Sequence, residues 1–257
     1  MIVVLLPAYN EQDSLPELLP KIAAALRNVP GGYRILVCND GSKDGTADVL
    51  ERYAPGLPLE VIHHKLNRGL GETARDLFER AAEICQPDDV IVRMDCDDTH
   101  EPAIIHDLVA RLDEGFDVVI ASRFQPGGGQ VGVNAYRAFI SRAANVFMKI
   151  FFPIKGVREY SCGFRAYRAS IIQEAIGRYG NYFIQLKGLG FTGTLEKLVK
   201  LDLMGARFAE IPFVLRYDQK QSESKMVSSV TTLGYFVMTI LYHWPWGGWR
   251  SAARRKR

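Results

Sequence analysis

Two aspartates one residue apart, Asp95 and Asp97, close an apolar run at residues 90–95, and Asp98 follows at once. Carboxylates so near one another repel. A hard divalent cation relieves that repulsion. Mg²⁺ or Mn²⁺ suits the place, because Mg²⁺ takes one or two carboxylates and completes its shell with phosphate and water. The chemistry implied is the holding of a metal–diphosphate. An Asp-x-Asp pair also occurs in solvated turns, so its meaning depends on what is brought beside it.

The elements that must do this are legible in the apolar runs. Residues 2–8, 33–40, 59–64, 90–95 and 117–123 are near-continuous Val/Ile/Leu segments, as buried parallel strands are. Helical spacing fills most of the stretches between them, as at residues 13–29. This alternation predicts an α/β fold: a Rossmann-like, mainly parallel twisted sheet with helices on both faces. Ligands of such sheets bind beyond the carboxyl ends of the strands. Pro7-Ala8-Tyr9-Asn10-Glu11, Asn39-Asp40-Gly41-Ser42, Asp95-Cys96-Asp97 and Ser122-Arg123 each fall at such an end. After Arg123 the pattern changes. Residues 124–134 read as a flexible loop, 135–153 and 192–205 as helices, and 206–217 as a strand.

Composition is ordinary for a globular chain of 257 residues, 47% apolar and 24% charged. The apolar start reads as a first strand rather than a leader. Cysteines 38, 85, 96 and 162 have no metal-like spacing and read as reduced thiols. Charge is uneven. Residues 1–150 hold 15 Lys/Arg against 22 Asp/Glu, a net of −7, and residues 151–257 hold 17 against 7, a net of +10. A basic second half suits an anionic partner. No nucleic-acid motif accompanies it, so the expected partner is phosphate or a membrane surface.

Taken in order, PAYNE, NDGSKDGT, NRGLGETA and MDCDDTHEP resemble the family 2 glycosyltransferases of GT-A fold. SRFQPGG, YRAFISR, SCGFRAYR and SESK narrow the resemblance to the dolichyl/polyprenyl-phosphate mannose synthase branch. The resemblance implies roles. Pro7, Tyr9, Glu11 and Asp40 would meet the nucleotide, and Asp95 and Asp97 the sugar diphosphate and its metal. Arg123, Arg137 and Ser141 would grip the acceptor's phosphate. Lys225 would bind the donor, with Arg216 and Lys220 the bases nearest to a displaced family arginine. The branch commonly has a metal-binding Gln where this chain has Thr99, whose hydroxyl is a poorer ligand than an amide oxygen. The implied activity is inverting transfer of one sugar from a nucleotide-sugar, of GDP-mannose or UDP-glucose type, to a polyprenyl phosphate.

Three other readings remain. Relatives acting on hydroxyls often carry a Glu-Asp pair on the later helix. Here Glu196-Lys197 stands there, which makes Glu196 the base of a hydroxyl-acceptor alternative, although a helix-surface ion pair is its plainer reading. Asp95-Cys96-Asp97-Asp98-Thr99 also fits phosphatases of haloacid-dehalogenase type, with Asp95 as nucleophile. That reading lacks a later acidic pair. A non-catalytic nucleotide-sugar binder is the third.

A lipid-phosphate acceptor requires contact with a bilayer. Residues 226–249 contain no Lys, Arg, Asp or Glu. Val230, Leu233, Val237, Ile240, Leu241 and Trp244 share one helical stripe. Trp246 and Trp249 follow, and then Arg250, Arg254, Arg255, Lys256 and Arg257. An amphipathic interfacial helix on anionic lipid is expected rather than a span, with residues 145–153 as a second apolar patch. The chain therefore divides into a glycosyltransferase domain at 1–225, with a nucleotide-sugar half at 1–123 and an acceptor half at 124–225, and an interface segment at 226–257. The expected setting is peripheral, on the cytosolic face of a membrane.

Overall fold

The side chains of the apolar runs alternate between two packed faces. In the computed structural model, which describes residues 1–220 and 228–243, Val3, Leu5, Leu36 and Ile91 point to one face of a sheet. Val4, Leu6, Ile35, Val37 and Val92 point to the other. A period of two on a strand buried on both sides requires this division. The strands are β1 (Ile2–Ala8), β2 (Tyr33–Asn39), β3 (Leu59–His63), β4 (Val90–Arg93) and β5 (Val118–Ser122). The first face is covered by α3 (Leu70–Ile84), α6 (Ala169–Tyr179) and α7 (Thr192–Met204). The second is covered by α1 (Leu15–Leu26), α2 (Thr46–Tyr53) and α4 (Ile104–Asp113).

The seven-stranded sheet runs β3-β2-β1-β4-β7-β5-β8, with β7 (Arg165–Arg168) and β8 (Phe208–Pro212) supplied by the second half of the chain. β2 and β4 flank β1 in parallel register, Leu5 facing both Leu36 and Arg93. The strand order reverses between β1 and β4, so the crevice at their carboxyl ends is the place a ligand takes. The five strands and the helices read at 13–29, 135–153 and 192–205 hold to within a few residues. α5 (Ala135–Phe151), for example, occupies the segment read as 135–153.

The sheet departs from the expected parallel order in one place. β7 lies antiparallel between β4 and β5, pairing Arg93 with Arg165 and Ile120 with Arg165. Its sequence, Arg-Ala-Tyr-Arg, looks like a surface segment, yet Arg165 is fully buried. Its two terminal nitrogens donate to the carbonyls of Thr194 (2.7 Å) and Tyr160 (2.8 Å), fixed dipoles that offset the cost of burying the charge, while its Nε is left without a partner among the described residues. Residues 124–134 also differ from a plain loop. Gly129–Val131 forms β6, parallel to β9 (Val214–Arg216) in a separate two-stranded sheet. The single strand expected at 206–217 is therefore two, β8 and β9, joined at Phe213.

α8 (Ser228–His243) packs on α7 and α5. Its Thr231 and Met238 are buried, while Leu233, Phe236, Ile240 and Leu241 are exposed. Of the apolar stripe read from the sequence, Leu233, Ile240 and Leu241 thus face outward and Val230 and Val237 are half-buried. Among the described residues, no helix is long and apolar enough to cross a membrane. Trp244, Trp246, Trp249 and the basic tail lie outside the described residues.

Candidate active site

The four strand-end motifs meet around one cavity of about 810 Å³. Its inner end is built by lacing two loops together. Asn10 Oδ1 accepts from the Lys43 N–H (2.9 Å), Gln12 Oε1 from the Gly45 N–H (2.7 Å), and Thr46 Oγ1 from the Glu11 N–H (2.8 Å). Much of PAYNE and NDGSKDGT is thus scaffold. Asn10 and Asp98 alone among the described non-glycine residues take positive φ, 52° and 58°, one in each motif beside the crevice. Such strain persists where surrounding bonds impose it. Gly41 (φ 65°) is required on a second ground: a Cβ there would meet the Leu66 carbonyl carbon at 2.5 Å.

Pro7, Tyr9, Glu11 and Asp40 all line this end. Asp40 is nearly inaccessible. Its carboxylate accepts from the N–H groups of Arg68 and Gly69 (both 2.8 Å), fixing the NRGLG loop ahead of α3. His64 lies 2.6 Å away through Nδ1, and its Nε2 meets Asp76 at 2.9 Å.

At the β4 end, each of the three crowded acids has its own cation, drawn from a different part of the chain. Arg93 meets Asp95 at 2.6 Å, Lys21 of α1 meets Asp98 at 2.6 Å, and the Lys220 ammonium contacts Asp97. Asp98 turns into the protein, whereas Asp95 and Asp97 line the cavity with Thr99, His100 and Lys220. Thr99 donates its hydroxyl to Asp97 (2.6 Å) and so orients that carboxylate. Burial pushes the Asp97 carboxyl up, but Lys220, His100 and Thr99 outweigh it and hold it below its ordinary value. His100 is buried, stacked 5.0 Å from Phe164. Its Nδ1 accepts from the Asp95 N–H (3.0 Å), which leaves Nε2–H directed at Asp95 Oδ2, 3.6 Å away. Burial pushes its pKa down. Two carboxylates and a hydroxyl are hard oxygen donors of the kind Mg²⁺ or Mn²⁺ takes, and they face open cavity. No three His, Cys, Asp or Glu groups converge among the described residues, so the rest of a metal shell would come from phosphate and water.

The outer end carries Arg123, Arg137 and Ser141. Arg123 is clamped by Glu159, with contacts of 2.8 and 3.0 Å, and also reaches Ser161 (2.7 Å) and Gln130 (3.3 Å). Burial pushes the Glu159 carboxyl up, but the Arg123 charge and the Ser161 bonds hold it below its ordinary value. Arg137 extends from α5 to the Tyr217 hydroxyl (2.8 Å). Tyr136 and Ile140 of α5, with Thr232 and Tyr235 of α8, complete the wall.

Not every expected residue arrives here. Arg216 is exposed and paired with Asp218 at 2.8 Å, outside the cavity lining. Lys225 lies outside the described residues. Glu196 corrects the surface-pair reading: it is fully buried, bound to Lys200 (2.6 Å) and to the N–H groups of Gln185 and Leu186 (both 2.9 Å). It does not line the cavity, so it is not placed to serve as a base there. Sequence reasoning passed over His64, His100, Lys21 and Glu159. His100 stands inside MDCDDTHEP, and Glu159 is separated from SCGFR by Tyr160 alone, in a half with few acids.

The four cysteines are buried free thiols.

The family model described as Glycosyl transferase family 2 matches residues 3–176. A dolichol-phosphate mannosyltransferase of Pyrococcus furiosus is 30% identical over 224 residues, 87% of this chain and 58% of the relative. An undecaprenyl-phosphate 4-deoxy-4-formamido-L-arabinose transferase of Pseudomonas fluorescens is 34% identical over 169 residues, 66% of this chain and 47% of the relative. A polyprenol monophosphomannose synthase of Mycolicibacterium smegmatis is 30% identical over 174 residues, 67% and 63% of the two chains. The chain thus spans about half to three-fifths of the length of these curated relatives. Among solved structures, the glucosyl-3-phosphoglycerate synthase of Mycobacterium tuberculosis, in complex with Mn²⁺, UDP and phosphoglyceric acid, superposes with a TM-score of 0.62 at 18% identity, covering 94% of this chain and 77% of that one. The likeness bears out the expected fold, a mainly parallel twisted sheet between two helical layers of GT-A type.

Proposed function

The chain belongs to glycosyl transferase family 2, and from that premise we propose that it moves one hexose from a nucleotide-sugar to a polyprenyl phosphate, with inversion, at a membrane surface. Family membership sets aside the phosphatase reading. The observation that carries the proposal is a single cavity lined by both signs of charge. Asp95 and Asp97 line it together with Arg123 and Arg137, and two helices that also expose apolar side chains contribute to its wall.

The residues divide the work. Pro7, Tyr9, Glu11 and Asp40 would hold the nucleoside. Asp95, held by Arg93, and Asp97, oriented by Thr99, would hold Mg²⁺ or Mn²⁺ against the diphosphate. When bound, such a cation carries part of the charge that develops on the leaving diphosphate. Lys220 would stand beside that charge, and Lys225 joins it in the proposal. Arg123, Arg137 and Ser141 would hold the acceptor phosphate and reduce repulsion between two anions. A phosphate monoester already carries the attacking charge and needs no general base. Attack from the side opposite the leaving group inverts the anomeric centre. The hydroxyl-acceptor alternative loses its named base, because Glu196 is enclosed and fully bonded.

The membrane contact rests on α5 and α8. Tyr136, Phe139, Val146 and Ile150 stand exposed on α5 beside Arg142 and Lys149, and Leu233, Phe236, Ile240 and Leu241 stand exposed on α8. Apolar and basic groups together suit an anionic lipid surface. A cytosolic, peripheral setting follows from this reading.

The test supplies GDP-mannose or UDP-glucose, Mn²⁺, and either polyprenyl phosphate or a free polyprenol. Transfer to the phosphate alone supports the proposal. Transfer only to the hydroxyl overturns it in favour of the alternative, and donor binding without any transfer leaves a nucleotide-sugar binder.

A further inference from the structure

Both carboxylate oxygens of Asp97 are engaged. Oδ1 accepts from the Thr99 hydroxyl (2.6 Å) and N–H (3.3 Å), a local turn within the acidic loop. Oδ2 is taken by the Lys220 ammonium. Lys220 is not a wandering surface lysine. Its side chain is 10% exposed, and Asp97 is 16% exposed. It follows a short 3-10 turn, Tyr217–Gln219, and its ammonium lies 5.7 Å from the Tyr217 ring centre. The chain just ahead of that turn is tied to the acidic loop itself, since the Arg216 N–H donates to the Thr99 carbonyl (3.1 Å).

A divalent cation shared by Asp95 and Asp97 needs an oxygen of Asp97. Freeing Oδ1 would dismantle the Thr99 turn. Freeing Oδ2 requires only that one flexible side chain swing away. The Lys220 ammonium and the metal therefore compete for Oδ2.

We propose that Lys220 is the resident counter-ion of Asp97, that a divalent cation binds by displacing it, and that the released ammonium is handed to the donor diphosphate. The inference rests on the donor-site reading above and goes beyond it. It makes metal and nucleotide affinity interdependent through one side chain. Nucleotide gives the displaced lysine a new anionic partner, so nucleotide must strengthen metal binding, and by reciprocity metal must strengthen nucleotide binding.

The experiment measures Mn²⁺ affinity of the full chain by calorimetry, alone and with saturating UDP or GDP. Wild type is expected to bind Mn²⁺ weakly alone and more tightly with one nucleotide. Lys220→Met should bind Mn²⁺ alone about tenfold more tightly than wild type, and the gain on adding nucleotide should shrink. Lys220→Arg, which keeps the charge, should resemble wild type. Lys220→Gln repeats the neutral case should the Met variant fold poorly. If wild type binds Mn²⁺ and both neutral variants bind it no more tightly, the displacement is overturned while the donor site stands. If wild type binds no Mn²⁺ with or without nucleotide, the donor-site reading itself fails.

Discussion

Of two clusters that set carboxylates against basic side chains, one at the end of β4 and one inside α7, only the first faces the cavity. At the end of β4, Asp95 and Asp97 meet Arg93 and Lys220 at the cavity wall. Inside α7, Glu196 meets Lys200, and the neighbouring Lys197 donates to the Gly193 carbonyl (3.0 Å) beneath the ring of Phe78. The second cluster is the more buried, and burial pushes the Lys197 amine well below its ordinary value. A strongly perturbed group is a reason to look for function. Here the perturbation marks structure: Glu196 bonds the 185–186 backbone and Lys200, and the Tyr242 hydroxyl of α8 lies 3.4 Å away. What separates the clusters is whether a carboxylate oxygen faces space a ligand can enter.

The comparison breaks most readily at Asp97. Asp97→Ala is expected to lower sugar transfer by on the order of 10³-fold, because a preorganised charge at the leaving group is lost. Mn²⁺ affinity should fall with it, while the melting temperature stays within a few degrees. A variant that keeps both transfer and Mn²⁺ binding would remove the proposed function. Glu196→Ala should do the reverse. It strands Lys200 in the interior and leaves two N–H groups without their carboxylate, a loss of about 3–5 kcal/mol by denaturant titration. Donor affinity of the folded fraction should be unchanged. A stable Glu196→Ala chain that binds donor but transfers nothing would restore Glu196 to the chemistry.

How far these clusters could be told apart beforehand depends on the element. Val/Ile/Leu runs give five strands, and the motifs at their ends give the crevice. β7 is hidden because two of its four residues are arginine, and a guanidinium buried against carbonyls leaves no mark in hydropathy. Glu196 was read as a surface residue because helical spacing does not reveal which side chains from elsewhere enclose a position. Scarcity was the missed signal. Residues 151–257 contain seven acids, and Glu159, Glu196 and Glu210 are each buried against several donors. An acid retained in a basic half is there to satisfy something specific.

A third contrast sharpens the picture at the surface. The exposed stripe of α8 has no role in a cluster, so changing it should leave chemistry in detergent intact. Phe236→Ser with Ile240→Ser is expected to lower partitioning onto anionic liposomes by on the order of 10²-fold, the scale set by losing two apolar side chains worth about 1.5 kcal/mol each from an interface. Transfer to a short, water-soluble polyprenyl phosphate should change less than twofold. Undiminished liposome binding would sever the lipid surface from α8.

The smallest effect concerns Arg123 and Glu159, which lie between the two extremes: a buried pair whose arginine borders the cavity. The Glu159 carboxyl is held below its ordinary value of 4.5 by Arg123 and Ser161, against burial. A depressed carboxylate contributes stability that is fully present above pH 4.5. It is lost as pH falls through the folded value, because the unfolded chain there binds a proton that the folded chain refuses. One such group adds at most about 1.4 kcal/mol per pH unit to the acid slope. Glu159→Gln, though less stable at neutral pH, should therefore lose stability less steeply than wild type on acidification below 4.5, followed by denaturant midpoints at fixed ionic strength. Equal slopes would mean that Glu159 does not hold its charge against acid. Arg123 would then be freer to meet an acceptor phosphate than its bonds to Glu159 and Ser161 imply.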